Sequence, residues 1–206
     1  MLNARVPKIL YSKVTTGPAI EPIDIYDIAK LDLKVDDTVE DDLIEILIQA
    51  ARESVENRTN RSLITQTREV RLDWFPSSDT IILPNGPVQS VTSIQYYDDN
   101  NDLVTLSNND YWVDINSTIP RIVIKNYWPS SYSRPNAVII IYVAGYGTAA
   151  ATVPATLRKA MLLILGHLYE NRQSVIVSGS PTGVVEMPMG AEYLMNQYIV
   201  EQSIVY

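Results

Sequence analysis

The side chains able to do chemistry are few, and their spacing does not favour it. The sequence has one histidine, His167, and no cysteine. A zinc site built on several histidines or thiolates, a disulfide scaffold and a cysteine nucleophile are therefore ruled out. His167 lies within an apolar helical pattern and reads as a partly buried structural residue. The nucleophile elbow G-x-S-x-G and the phosphate-cradling patterns G-x-x-x-x-G-K-[ST] and G-x-G-x-x-G are absent. Asp98, Asn100 and Asp102 alternate as in a calcium loop. Such a loop needs glycine at its sixth position and glutamate at its twelfth, and here those are Leu103 and Asn109. The string reads instead as a polar turn between strands. Carboxylates are plentiful but fall in helix starts and loops. No catalytic, cofactor-binding or metal-ligating residue is expected, and no cofactor.

Aromatic side chains are the remaining candidates. Tyr96, Tyr97, Tyr111, Trp112, Tyr127, Trp128, Tyr132, Tyr142 and Tyr146 gather in one stretch of sequence. Tyr and Trp stack on sugars and anchor protein interfaces, but they also favour strands, and packing within a sheet is the simpler reading.

The elements that carry these residues alternate in period. Residues 1–22 hold Pro7, Gly17, Pro18 and Pro22 without apolar periodicity and read as an extended N-terminal arm. Residues 23–62 read as helical. Ile25, Ile28, Ala29 and Leu31 suggest a short first helix. Thr38 followed by Asp41 approaches a capping box, and Leu43, Ile44, Leu47, Ile48, Ala51 and Val55 then form one apolar stripe. Asn60 suits a left-handed helix end. Residues 63–147 read as strands. Val70, Leu72 and Trp74 alternate with polar neighbours, hairpins are expected around residues 98–102 and 116–118, and residues 138–143 form an unbroken apolar run suited to a central strand. Gly145-Tyr146-Gly147 reads as the strand exit. Residues 148–198 return to helix, with Pro154 at one start and Pro188 at another. Residues 199–206 form an apolar C-terminal tail. The expected fold class is α+β: a small helical bundle formed by N- and C-terminal helices, with an inserted antiparallel β region.

Composition narrows the function. Apolar residues make up 46% and charged residues 19%, a globular balance. The longest apolar run has eight residues (137–144), far below the roughly 20 that a spanning helix needs, and no signal-like segment follows the basic start. The protein is expected to begin at or near Met1, to be soluble and to have no membrane partner. The net charge of -8 argues against a chain-wide nucleic-acid-binding surface. That charge is concentrated: residues 21–56 hold 12 acids and 3 bases, whereas residues 1–20 hold Arg5, Lys8 and Lys13 and no acid.

The order of these segments is more specific than any one of them. The acid-capped helix from Asp41 to Glu56 runs into Asn57-Arg58-Thr59-Asn60. Leu83-Pro84, Pro87-Val88 and Tyr142-Val143-Ala144-Gly145-Tyr146-Gly147 follow. Val153-Pro154 then opens a helix ending His167-Leu168-Tyr169-Glu170-Asn171-Arg172. Over residues 25–198 this set resembles the head–tail connector (adaptor) proteins of long-tailed bacteriophages and phage-like particles, in their longer version with a β insertion. Asn60 departs from the glycine common there but keeps the cap role.

The resemblance implies a structural, non-enzymatic protein of the virion neck, at the head–tail interface, assembled in the host cytoplasm. It implies a ring, typically of twelve copies, beneath the portal protein. That ring would extend the DNA channel and offer a platform for a stopper, head-completion or tail protein. It also implies that the C-terminal segment docks onto the portal, here through Tyr198, Ile199, Val200, Ile204, Val205 and Tyr206. Asp36, Asp37, Glu40, Asp41 and Asp42 would then either face the channel, where repelled phosphates slide past without sequence-specific binding, or form a solvated acidic helix face. The alternative is a glycan-binding β-module of a phage tail or surface protein, resting on Trp112 and Trp128.

Overall fold

The computed structural model describes residues 11–171 and 188–200. They fall into two compact units. One comprises, among the described residues, 11–19, 60–146 and Val200; the other comprises 20–59 and the described part of 147–199.

The first unit is all β. Eight strands run β1 (Tyr11–Thr16), β2 (Gln66–Leu72), β3 (Thr80–Ile82), β4 (Val88–Tyr97), β5 (Leu103–Thr105), β6 (Tyr111–Asp114), β7 (Arg121–Ile124) and β8 (Val138–Ala144). Every pairing is antiparallel. A five-stranded sheet has the order β1-β2-β8-β4-β5, and a three-stranded sheet the order β3-β7-β6. The apolar run over residues 138–143 thus forms the middle strand of the larger sheet, flanked by β2 and β4. Both expected hairpins are present, β4 to β5 and β6 to β7. The two sheets share one core: Val70, Leu72, Ile94, Ile140 and Tyr142 from the larger meet Ile81, Tyr111, Ile122 and Ile124 from the smaller.

Within the stretch expected as an extended arm, residues 11–16 form an edge strand, with Lys13 opposite Glu69. The segment shows no apolar period because Val14 points its side chain largely to solvent, as an edge strand permits.

The exit of β8 needs glycine. Gly145 has φ +129, and a Cβ there would lie 2.5 Å from the Ile64 carbonyl carbon and oxygen. Its N–H donates to Pro87 O at 2.9 Å, and Tyr146 N–H donates to Leu63 O at 3.0 Å. The closeness of these chain segments leaves no room for a side chain.

The second unit is helical. Asp24 accepts from the N–H groups of Tyr26 and Asp27, both at 2.8 Å, and opens a π-helical turn (Ile25–Ala29) that continues as α1 (Lys30–Leu33). The long helix α2 spans Asp41–Thr59. It starts later than a Thr38 cap would place it: Asp37 accepts from Val39 N–H at 3.0 Å, and a turn over residues 38–41 leads in. α3 (Ala155–Glu170) and α4 (Met189–Asn196) each follow a proline at their N-terminal boundary. α2 packs on α3, and α3 on α4. The stripe expected on α2 supplies one side of the contact, with Ile44, Ile48, Ala51 and Val55 buried, and α3 buries Leu157, Ala160, Met161, Ile164 and Leu165.

Candidate functional site

The acids expected to face a channel occupy the entry to α2, but they are not equivalent. Lys30, buried at 7% exposure, extends its Nζ to Asp41 Oδ1 at 2.7 Å and also reaches the Asp37 carbonyl. Glu40 accepts from the Tyr169 hydroxyl on α3. Asp41 and Glu40 are therefore tied into the helical unit. Asp36, Asp37 and Asp42 are exposed. Asp41 and Asp42 sit in the first turn of α2, where the helix dipole favours negative charge.

Farther along α2 lies an ionic cluster that periodicity does not reveal. Arg52, 6% exposed, donates through Nε to Glu21 at 2.8 and 3.1 Å and through Nη1 to Glu56 at 3.0 Å. Glu53 stands 3.6 Å from Nη2. Burial pushes the Glu21 carboxyl above the ordinary carboxylate range; Arg52 opposes this without cancelling it, and Glu53 adds to the rise. Burial alone would lower the Arg52 guanidinium, but Glu21 and Glu56 outweigh it and raise it. One guanidinium thus meets three carboxylates.

The C-terminal candidates are only partly within the described residues. Tyr198, Ile199 and Val200 are half-buried, and Tyr198 N–H donates to Met195 O at 2.8 Å. Ile204, Val205 and Tyr206 lie outside the described residues. Sequence reasoning gave Asn60 a cap role, and its φ of +54 agrees. It missed a second bond: Asn60 Nδ2 donates to the Val200 carbonyl at 2.9 Å. An asparagine can make this bond and a glycine cannot.

The aromatic residues do not converge on one face. Trp128 stacks on Phe75, with centroids 4.9 Å apart and planes 8° apart, and its Nε1 donates to Ser78 O at 2.8 Å. Tyr96 meets Phe75 edge-on, and Tyr142 is fully buried. Trp112 is exposed, with the Lys125 ammonium 5.4 Å from its ring centroid. Trp128, half of the proposed sugar platform, thus spends one face within the core. His167 is half-buried, with Nδ1 3.4 Å from the Asn171 amide. Among the described residues no group of three or more His, Cys, Asp or Glu side chains is placed to hold a metal ion, and no helix is long and apolar enough to cross a membrane.

What these helices and sheets build is decided by comparison. A family model described as "Head completion protein" matches residues 28–185, well over half of the chain. The chain belongs to the head completion protein family. Its role is that of a structural head–tail connector. No curated protein sequence matches it. Among solved structures, the fold is similar to a chain of the "Virion of native gene transfer agent (GTA) particle", at 21% identity and TM-score 0.75, with 93% of this chain and 96% of that one covered. It is likewise similar to a chain of the "Neck of empty GTA particle computed with C6 symmetry", at 20% identity and TM-score 0.76 over the same shares. A chain of the "Neck of native GTA particle computed with C12 symmetry" matches at 21% identity and TM-score 0.65, covering 91% of this chain and 95% of that one. At these identities the likeness is one of fold. In this head completion protein, that fold places the conspicuous charge on the helical unit and the extended ladders on the β unit.

Proposed function

We propose that this head completion protein works without catalysis, as one subunit of a ring in the neck of a tailed phage or phage-like particle. In this reading the ring contains about twelve copies, lies beneath the portal protein and extends the DNA channel. Its far side receives a stopper or tail protein. The family match over residues 28–185 carries the reading. The similar chains come from particle structures, two of which are titled as necks with sixfold or twelvefold symmetry.

The tail over residues 199–206, together with Tyr198 just before it, is the proposed portal-docking element, through Tyr198, Ile199, Val200, Ile204, Val205 and Tyr206. Five of its eight residues are Ile, Val or Tyr, and burying such side chains is favourable by roughly 1.5–3 kcal/mol each. Exposed Asp36, Asp37 and Asp42, with Glu40 and Asp41 behind them, form the proposed channel lining. Phosphates would be repelled there, so DNA would pass without being held.

The test is to delete residues 199–206 and supply the truncated chain to portal-containing heads. The expected result is a folded chain, with an unchanged circular dichroism spectrum, that no longer joins heads. Attachment at the full-length level overturns the docking role.

A further inference from the structure

The helical unit carries a groove of about 680 Å³ between the segment entering the π-helical turn and one side of α2. Its floor is apolar: Ile23 and Ile48 are each 2% exposed. Its upper walls are apolar too, but open. Ile20 is 43% and Ile46 64% exposed. Four acids, Glu21, Asp24, Asp42 and Glu45, line it, and no base does. Glu21 is engaged by Arg52 and Asp24 by backbone N–H groups. Among the described residues Asp42 and Glu45 have no ion-pair partner. A groove that leaves isoleucines in water beside unpaired carboxylates suits an occupant that is both apolar and basic.

One stretch of this chain has that chemistry. Residues 1–10 contain Arg5 and Lys8, no acid, and the apolar side chains of Leu2, Val6, Ile9 and Leu10. They lie outside the described residues and precede edge strand β1. Ten residues reach at most about 33–36 Å, and their basic, apolar character complements the groove. A closed ring is built from heterologous contacts and needs two different, complementary patches on each subunit. We propose that the groove on α2 receives residues 1–10 of a second copy of this chain, with Ile9 and Val6 against Ile46 and Ile20, and with Arg5 and Lys8 against Glu45 and Asp42. This rests on the ring reading above, names one of its subunit contacts and takes Asp42 out of the proposed channel lining, leaving exposed Asp36 and Asp37 there.

The cysteine-free sequence makes the test clean. Two differently tagged full-length chains, one Ile9→Cys and one Ile46→Cys, are assembled together into particles and mildly oxidised. A disulfide forms only where Cα atoms approach within about 7 Å. The expected result is a covalent heterodimer at least tenfold above that of a control pair, Ile9→Cys with Thr92→Cys on β4. It should fall at least fivefold when the groove-side chain also carries Asp42→Lys and Glu45→Lys. A second pair, Val6→Cys with Gln49→Cys, guards against one poorly tolerated substitution. The proposal is overturned if both pairs stay at the control level in particles that contain the chain. It is also overturned if the link survives charge reversal, or if both cysteines placed in one chain join only within that chain. If the chain is absent from particles altogether, the ring reading fails first and this contact with it.

Discussion

The two units bury their charges at different depths. The β unit is fixed by continuous antiparallel ladders and by an apolar core that both sheets share. It buries charge as well: Arg68 lies against the hydroxyls of Ser12 and Ser62 at 3.4–3.5 Å, and Glu69 pairs with Arg71 at 2.7 Å and Lys13 at 3.3 Å. The helical unit has apolar stripes, yet it also depends on charge taken out of water: Arg52 with Glu21 and Glu56, and Lys30 with Asp41. It leaves Leu31, Val39, Ile46, Met189 and Tyr193 in solvent. The β unit leaves apolar side chains in solvent too, Trp112, Ile115 and Tyr127 among them. The units differ in how deep their ion pairs lie: Lys30 and Arg52 are buried beside their carboxylates, whereas the side chains of Lys13 and Arg71 beside Glu69 are 38% and 33% exposed.

The largest expected effect falls on the buried ions. Arg52→Ala leaves Glu21 and the buried Glu56 without their cation. Removing one partner of a buried pair costs about 3–5 kcal/mol. Hydrogen exchange read by mass spectrometry should show α2 losing protection while β8 keeps its own. Equal loss in both would erase the contrast between the units.

Next comes an alkaline effect confined to the β unit. Burial pushes the Tyr142 hydroxyl up to about 12, with Arg68 and Ser12 pulling weakly the other way. The unfolded chain ionises near 10, so the folded state holds this proton longer. The resulting stability is fully present below pH 10 and is lost as pH rises from 10 through 12. A shift of that size corresponds to about 2–3 kcal/mol. Tyr142→Phe should flatten denaturant midpoints measured across that range. A slope unchanged in the variant would move the effect to another group.

The smallest effect is at the surface of the helical unit. Lys159 and Asp32 stand 3.4 Å apart, with the lysine side chain 52% exposed. Lys159→Ala should cost less than about 1 kcal/mol, and salt should remove what there is. A larger loss in thermal denaturation would mean that exposed ions also hold this unit.

How much of this was legible in sequence follows from the range of each signal. β8 announced itself because a run buried on both faces has to be apolar throughout, and α2 and α3 because their stripes repeat within a turn. β1 was silent: an edge strand with Val14 in solvent has no period, and only its Val and Thr content hinted at it. The Arg52–Glu21 pair spans 31 positions, and no local period encodes a partner that tertiary packing supplies. The acids proposed to line a channel were visible as a cluster, but the division between tied Asp41 and exposed Asp42 depends on where Lys30 lands. The groove on α2 was invisible for the same reason, since Ile20 and Ile46 are far apart in the chain.

The bond from Asn60 to the Val200 carbonyl has a mechanical consequence. It anchors the chain at residue 200, so the last six residues can reach no farther than about 20–22 Å from that anchor. In the docking role proposed for them they would act as a ligand on a short leash: once another part of the protein met the same partner, their local concentration would rise to the millimolar range. A single hydrogen bond of this kind is worth only about 1 kcal/mol, so the leash can lengthen under modest load.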